Sequence, residues 1–226
     1  MPGRGETQTA PGSIIAVFAH FAHIMTSRRI AAELWRGGTS KGLFLLDDAL
    51  PVDPAARESL LMRLIGSPDP YGKQIDGLGG ATSSTSKVVI VRASDRRDCD
   101  VSYRFGAVAI DRPVIDWSGN CGNLTTAVGP FALANGLVRA ANGIATIRLW
   151  QENIGKRIVA HVPVAGGCAV EQGAFMMDGV AFSGAEILLE FLDPGGGESD
   201  MLPTGRVLDV LDVPGAGPIE ATLVNA

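Results

Sequence analysis

Residues 119–136 read GNCGNLTTAVGPFALANG, and they carry the clearest helical pattern in the chain. Apolar side chains recur with the i, i+3, i+4, i+7 spacing of a helix at Leu124, Ala127, Val128 and Phe131. Ala132 and Leu133 extend the apolar surface around the helix axis. A helix that is apolar on all sides is typically buried. The stretch therefore predicts a buried helix that ends near Gly136, with the rest of the domain packed around it.

Most of the remaining chain has the pattern of short strands. The 29 glycines and 13 prolines among 226 residues indicate many turns. Alternating or β-branched segments predict strands at residues 30–36, 42–46, 87–91, 100–105, 144–151, 156–164, 174–182, 186–194, 206–214 and 219–226. One more helix is predicted at residues 55–66, because Asp53 and Pro54 are typical of an N-cap and a first helical position. The predicted class is α+β.

Composition and charge exclude several functions. The net charge is −5 and no run of Lys or Arg occurs, which argues against binding of nucleic acid. Three cysteines, an odd number without a CxxC pair, indicate a reducing compartment, and we therefore expect a cytoplasmic protein. With three histidines and no HExxH motif, the sequence predicts no metal site.

The N-terminal stretch does not have the features of a membrane anchor. The apolar segment at residues 14–24 is too short to span a bilayer, so no membrane partner is expected. Only Arg4 precedes it, and no clear small-residue cleavage site follows. Met25 opens the sequence that runs into the first predicted strand. We expect residues 1–24 to be a leader or a disordered tail, with the functional start at Met25.

Cys121 lies directly before the predicted buried helix, between Asn120 and Gly122. A free cysteine is often a small buried hydrophobic residue, and this alternative stays open. However, unpaired N–H groups at a helix N-terminus stabilise a thiolate. The backbone at Gly122 and Asn123 can also direct N–H groups outward, where they can hold a carboxylate oxygen. The flanking Gly and Asn residues therefore favour a reactive thiol.

A hydroxyl-rich stretch, GGATSSTSK at residues 79–87, ends on Lys87. No Asp or Glu occurs between Asp76 and Asp95, so no carboxylate nearby in sequence holds this lysine as a cation. A desolvated lysine in neutral surroundings can act as a base. From these residues alone, a surface lysine at the start of a strand is an equally good interpretation.

The loop RGGTSKG, residues 36–42, combines two cations with several N–H donors and is suited to binding carboxylates. Neither this loop nor GSPDPYGKQ, residues 66–74, fits the phosphate-loop motif. The second has five residues between its first two glycines where the motif has four, and Gln74 replaces the required Ser or Thr. A hydrolase that pairs Cys121 with His161 is disfavoured, because His161 lies within an apolar strand pattern.

Five ordered motifs carry a resemblance to a known family. They are RGGTSKG (36–42), GSPDPYGKQIDGLGG (66–80), SSTSK (83–87), FGAVAIDRPVIDWSGNCGNLTTAVGPFA (105–132) and WQENIGKRIVAHVPV (150–164). From about Ala32 to its last residue the chain resembles the PrpF family, which includes 2-methylaconitate cis-trans isomerase, methylitaconate Δ-isomerase and 4-oxalomesaconate tautomerase. The resemblance implies a diaminopimelate epimerase-like fold. In that fold, each lobe is a strongly curved, mostly antiparallel sheet wrapped around a central helix, and the active site lies between two lobes.

The resemblance also implies functional residues. The family's catalytic lysine follows SSTS, which makes it Lys87 here, and its catalytic cysteine lies in GNCGN, which makes it Cys121. Contacts to substrate carboxylates are expected at Thr39, Ser40, Ser83, Ser84, Gly122 and Asn123. The implied activity is that of an isomerase that moves a proton within a small unsaturated tricarboxylate by Lys/Cys acid–base chemistry, without a cofactor or a metal.

Members of this family are considerably longer than 226 residues. Residues 25–226 are therefore expected to form the N-terminal lobe of such an isomerase, with the second lobe supplying the other wall of the cleft. This leaves an alternative from another class, a non-catalytic lobe that acts as a binding or dimerising module. Formation of a homo-oligomer is left open.

Overall fold

Strands outnumber helices in the part of the chain that the computed structural model describes, residues 29–192 and 202–224. The α-helices are α1 (Pro54–Ile65) and α2 (Gly122–Ala134), and a short 3-10 helix covers Asp47–Ala49. The strands are β1 (Glu33–Gly37), β2 (Ser40–Leu46), β3 (Lys87–Ala93), β4 (Val101–Val108), β5 (Ile115–Asp116), β6 (Gly143–Gln151), β7 (Lys156–Ala165), β8 (Cys168–Ala169), β9 (Leu188–Phe191), β10 (Asp209–Val213) and β11 (Gly217–Ala221). The α+β class predicted from the sequence is confirmed. The predicted leader, residues 1–24, lies outside the described residues.

Helix α1 begins and ends where its sequence signals predict. The Asp53 side chain accepts a hydrogen bond from the Ala56 N–H at 2.8 Å, and Pro54 occupies the first turn, where its missing N–H costs nothing. Gly66 ends the helix in the left-handed conformation, at φ 85°. The helix connects β2 to β3, which are parallel neighbours and therefore need a crossover.

One nine-stranded sheet makes up most of the fold. Its order is β1-β2-β3-β4-β6-β7-β8, with β5 beside β4 and β9 beside β7. Among the described strands of this sheet, only β2–β3 and β4–β6 pair in parallel, and the other pairs are antiparallel, as the family resemblance implied. Strands β10 and β11 form a separate hairpin.

The sheet curves around α2. Strands β1 and β8 lie at opposite ends of the strand order, yet both contact this helix, as do β2, β3 and β7. A flat sheet could not bring both of its ends to one helix, so the sheet must be strongly curved. The buried residues of α2 are Leu124, Thr125, Ala127, Val128, Gly129, Pro130, Phe131, Ala132 and Leu133. The predicted burial of this helix on nearly all sides is therefore confirmed.

An aromatic cluster fixes β1 and β2 against α2. The rings of Phe44 and Phe131 lie 5.4 Å apart between centroids, and Trp35 lies 6.2 Å from Phe131 with an edge-on geometry. Edge-to-face pairs at these distances stabilise beyond the area that they bury. The indole N–H of Trp35 donates to the Glu33 carboxylate at 2.7 Å. The first two strands are thus held on the helix by packing rather than by backbone pairing.

The hairpin that joins β1 and β2 is tighter than predicted. Its turn is Gly38–Thr39 alone, with Gly38 at φ 49°, and Ser40 already belongs to β2. The sequence predicted a loop over residues 37–41. Backbone pairing of Gly37 with Ser40 shortens the loop, because two-residue turns match the twist of adjacent strands.

The predicted strand at residues 174–182 is wrong. The structure has only a single bridge there, between Phe175 and Gly184. Gly179 interrupts the segment at φ 83°, a conformation incompatible with a strand. The strands predicted at 186–194 and 206–214 correspond to the shorter β9 and β10, and the strand predicted at 219–226 overlaps β11, which begins at Gly217. Residues 193–194 and 225–226 of these predicted strands lie outside the described residues. In the described residues, no helix is long and apolar enough to cross a membrane.

The loop between α1 and β3 is organised by Asp69. Its carboxylate accepts backbone N–H bonds from Tyr71 at 2.8 Å, Lys73 at 2.9 Å and Gln74 at 2.6 Å. The bonds from Tyr71, Lys73 and Gln74 hold the pKa of Asp69 below its ordinary value of 3.8, since they stabilise the charged form. The loop therefore depends on an ionised Asp69.

We expect Gly37→Ala to destabilise the contact between the β1–β2 hairpin and α2. A Cβ built on Gly37 would lie 2.8 Å from the Cα of Leu124 and 2.9 Å from the hydroxyl oxygen of Thr126. Overpacking of this kind costs about 1–3 kcal/mol of unfolding free energy. Urea unfolding measures the loss. Gly119→Ala is the control, because a Cβ there meets no atom of the described residues within 4 Å. Equal stability of the two variants would contradict the close approach.

We expect Asp69→Asn to lower the melting temperature at neutral pH and to reduce its dependence on acid. The folded pKa is depressed, so the stabilisation is present above the unfolded value of 3.8 and is lost as the pH falls through the folded value. Melting temperatures measured from about pH 7 to pH 2 should differ between the wild-type protein and Asp69→Asn at high pH and become equal in acid. Asp76→Asn, an exposed position in the same loop, serves as the control. A constant difference at every pH would contradict this role.

Candidate active site

Lys87 and Cys121 meet at the N-terminal end of α2. Lys87 is the first residue of β3, and Cys121 is the N-cap residue of α2. The Lys87 Nζ atom lies 3.1 Å from the Cys121 Sγ atom, within hydrogen-bonding distance for a nitrogen–sulfur pair. The thiol is 9% exposed and the lysine is half-buried. The structure thus brings together the two residues that the sequence singled out, although their catalytic roles stay predictions.

Ser40 completes this polar cluster. Its hydroxyl accepts a hydrogen bond from Lys87 Nζ at 3.1 Å and lies 3.8 Å from Cys121 Sγ. Ser40 is buried because it is the first residue of β2, directly after the tight turn against α2. The sequence predicted Ser40 as a contact to substrate, and the structure places its hydroxyl against the lysine–cysteine pair itself.

Lys87 has no acidic partner among the described residues. Its ammonium group faces the Phe105 ring at 5.6 Å from the centroid. Such a contact supplies modest electrostatic stabilisation of a cation. In the described residues, as in the neighbouring sequence, no carboxylate therefore pairs with Lys87.

The first turn of α2 is left without a side-chain cap. Cys121 occupies the N-cap position, and its side chain makes no capping hydrogen bond. Gly122 and Asn123 follow and are exposed. The Asn123 side-chain amide donates instead to the Thr39 hydroxyl at 2.9 Å, which joins the hairpin turn to the helix. An uncapped helix N-terminus presents N–H groups and a partial positive charge to an anion.

The two remaining predicted binding residues lie in the loop before β3. Ser83 is exposed, and the Ser84 hydroxyl lies 2.9 Å from that of Thr82. The Ser84 carbonyl accepts the Lys41 N–H at 3.0 Å, which aligns this loop with β2. In the described structure, neither hydroxyl contacts Lys87 or Cys121. A role in binding therefore requires a ligand that extends from the pair to this loop.

Gln74 anchors the loop that leads to Lys87. It is 1% exposed, its amide donates to the Ser67 hydroxyl at 2.8 Å, and its side-chain oxygen accepts from the Ser86 hydroxyl at 2.7 Å and the Ala81 N–H at 2.8 Å. Ser86 is the residue directly before Lys87. Gln74, a mismatch to the phosphate-loop motif, thus joins Ser67, Ala81 and Ser86 within the loop that leads to β3.

His161 is engaged elsewhere. One ring nitrogen lies 3.4 Å from the Thr146 hydroxyl, and the other contacts the Glu190 carboxylate, which links β7 to β9. Cys121 therefore has a lysine and not this histidine as its partner. No group of three or more His, Cys, Asp or Glu within residues 29–192 and 202–224 is arranged to hold a metal ion.

A cavity of about 480 Å³ lies beside the site rather than at it. It is bounded by β1, the outer side of α2 and residues 169–187, with Trp35, Pro130 and Phe175 among its walls. Lys87 and Cys121 do not line it. We place the candidate site at the pair, because an amine and a thiol in direct contact can exchange a proton.

Sequence reasoning missed a group of hydrogen-bonded polar side chains next to the Cys121 backbone. The Tyr103 hydroxyl lies 2.8 Å from the Thr125 hydroxyl and 3.1 Å from the Asn120 side-chain oxygen. The sequence predicts Tyr103 only as part of the alternating strand at residues 100–105. A signal existed, since a tyrosine in an apolar strand needs a polar partner when it is buried.

Several curated proteins are similar to this chain. A 2-methyl-aconitate isomerase of Shewanella oneidensis is 54% identical over 210 residues, which cover 88% of this chain and 53% of that protein. A 4-oxalomesaconate tautomerase of Pseudomonas putida is 44% identical over 189 residues, with 83% of this chain and 52% of that protein covered. The chain thus spans about half the length of the curated relatives that it matches.

A solved structure and a family model agree with these similarities. The crystal structure of a methylitaconate-delta-isomerase superposes with a TM-score of 0.80 at 40% identity and covers 88% of this chain and 51% of that chain. The family model described as PrpF protein matches residues 27–226. Since this match extends over most of the sequence, the chain belongs to the PrpF family.

Proposed function

We propose that the chain is the catalytic lobe of a cofactor-independent isomerase that moves a proton within an unsaturated tricarboxylate. The observation that carries this proposal is the contact of 3.1 Å between Lys87 Nζ and Cys121 Sγ at an uncapped helix N-terminus. An amine and a thiol side by side can exchange a proton with each other and with a third group. The site therefore has both an acid and a base for proton transfer.

The reaction balances with these two residues alone. One of the pair, as a free base, takes a proton from the C–H group next to the substrate's double bond. The electron pair delocalises through the double bond into an adjacent carboxylate or oxo group. The other residue then returns a proton at a different carbon, or at the same carbon after rotation. Transfer of a proton between Lys87 and Cys121 restores the starting state. Either residue can act first.

Substrate carboxylates would bind around this pair. The N–H groups of Gly122 and Asn123 lie in the exposed first turn of α2, where negative charge is stabilised. The same groups would stabilise the charge that develops after proton removal. The Thr39, Ser40, Ser83 and Ser84 hydroxyls supply further hydrogen bonds.

The relatives support this substrate class. Methylaconitate and oxalomesaconate, named in the curated relatives, are unsaturated carboxylates with an acidic C–H beside a double bond. Because the chain spans about half of those proteins, we propose that it acts on such a substrate as one half of a complete isomerase.

The test compares the chain alone with a fusion that supplies the remaining half. The fusion joins this chain to the part of the Shewanella relative that it does not match. Both are incubated with aconitate, 2-methylaconitate, methylitaconate and 4-oxalomesaconate in deuterium oxide, and NMR follows incorporation of deuterium. Turnover by the fusion supports the isomerase. A folded fusion that incorporates no deuterium overturns it and favours the alternative of a non-catalytic binding or dimerising lobe.

We expect Lys87→Ala to abolish turnover in the fusion, because the variant removes the only amine that contacts Cys121 among the described residues. The loss should reach about 10²–10⁴-fold, as for other acid–base groups. Lys156→Ala is the matched control, since Lys156 is also a half-buried lysine at the start of a strand. A folded Lys87→Ala protein with wild-type rates would show that the lysine is not the base.

We expect Cys121→Ser to leave at most weak turnover. Serine is of similar size, but its hydroxyl is far less acidic than a thiol, so proton exchange with Lys87 should slow strongly. Cys99→Ser is the control, because Cys99 is a buried thiol whose pKa is raised mainly by burial and which lies outside the site. The two proteins are compared by deuterium incorporation. Equal loss in both variants would point to a general defect in packing.

A further inference from the structure

Beneath Cys121, a buried chain of hydroxyl groups connects the sheet to the helix N-terminus. The Tyr103 hydroxyl, from β4, lies 2.8 Å from the Thr125 hydroxyl, and Thr125 donates to the Cys121 carbonyl at 3.0 Å. Tyr103 is 2% exposed and Thr125 is 0% exposed. Leaving any of these buried polar groups without a partner would be costly, so the chain favours a fixed position of the helix turn relative to the sheet.

The hydroxyl groups of this chain can form every hydrogen bond between the sheet and the helix. Each hydroxyl has one proton and can also accept. If Tyr103 donates to Thr125 and Thr125 donates to the Cys121 carbonyl, every link between sheet and helix is made. The Asn120 side-chain oxygen, at 3.1 Å, is a second acceptor for the Tyr103 proton. Burial raises the pKa of Tyr103 well above its ordinary value of 10.0, so the hydroxyl stays a neutral donor.

This chain of hydroxyl groups bonds to the backbone of Cys121, and that backbone sets where the thiol lies. The Cys121 carbonyl also accepts the Thr125 N–H at 3.0 Å, so both bonds from Thr125 act on the backbone of the N-cap residue. The N-cap backbone is extended, at φ −116° and ψ 99°, and its side chain points to Lys87 at 3.1 Å. Movement of this backbone would change the distance between the thiol and the amine.

Tyr103 and Lys87 belong to neighbouring strands of the sheet. Strand β4 pairs with β3, with Tyr103 opposite Val91 and Ala107 opposite Lys87. Tyr103 and Lys87 are therefore set by one pair of strands, while Thr125 and Cys121 are set by one helix turn. The hydroxyl contact fixes the helix turn relative to the strands that carry the lysine.

We propose that Tyr103 and Thr125 are positioning residues that hold the Cys121 thiol against Lys87. The proposal rests on the proposed function only in treating this pair as the reactive centre. Neither residue touches substrate in this view. Their effect on the thiol is measurable without any turnover, so failure of the isomerase proposal and failure of this one are distinguishable.

The experiment measures the rate at which iodoacetamide alkylates Cys121 in the 226-residue protein, by mass spectrometry of the peptide that contains it. Exposed Cys168 is the internal reference for the reagent. We expect Tyr103→Phe and Thr125→Val each to slow alkylation of Cys121 about fivefold, the factor for one ordinary hydrogen bond. Thr125→Ser keeps the hydroxyl and should restore the rate to within about twofold of the original.

A matched control separates positioning from loss of core hydroxyls in general. Ser102 neighbours Tyr103 on β4, is 1% exposed and bonds to Ser94 on the other side of the strand. Ser102→Ala should leave alkylation unchanged. In a Lys87→Met background, Tyr103→Phe should have no further effect, because the thiol has no amine left to face.

The proposal is overturned if Tyr103→Phe and Thr125→Val leave the rate unchanged, or if they change it by the same factor with and without Lys87. The second result would mean that they act on the thiol independently of the lysine. Circular dichroism establishes that each variant is folded. If Tyr103→Phe does not fold, the comparison of Thr125→Ser with Thr125→Val decides the question alone.

Discussion

Helix α2 is buried on nearly every side, and this burial shapes the sheet, the edge hairpin and the candidate site. This helix has apolar or small side chains on almost every side, from Leu124 to Leu133. One face of a flat sheet cannot cover such a surface, and the nine-stranded sheet curves until strands from both of its ends contact the helix. The close approach of Gly37 to the first turn of α2 follows from the same curvature, because the edge hairpin has to fold over the helix end.

The enclosure of α2 also produces the candidate site. A helix inside a curved sheet has its termini at the openings, so the uncapped first turn lies next to the ends of β2 and β3. Ser40 and Lys87 are the first residues of those parallel strands, and both contact the thiol of Cys121. The amine, the thiol and the uncapped helix turn therefore lie together because the sheet wraps around α2. Groups of these types can transfer a proton and stabilise the negative charge that develops.

Local patterns predicted much of the fold. The i, i+3, i+4 spacing identified α2, and the Asp53-Pro54 pair identified the start of α1, because both signals act within a few residues. The strand predicted at residues 174–182 failed for the opposite reason. Its apolar residues satisfy the pattern, but Gly179 is left-handed and the segment is held by one bridge only. A strand exists through its neighbours, which the local sequence does not contain.

The sequence by itself determined which groups could react: a thiol at a helix start, a lysine without nearby acids, and a family resemblance that the comparisons confirmed. Only the tertiary structure decided that Lys87 and Cys121, 34 residues apart, touch, and that Ser40 joins them from 47 residues away from the lysine. It also brought the Tyr103 hydroxyl to the Thr125 hydroxyl, which in turn donates to the Cys121 carbonyl. Residue type and periodicity are local properties, whereas contacts of about 3 Å depend on strand register and on sheet curvature, which arise only when the whole core packs.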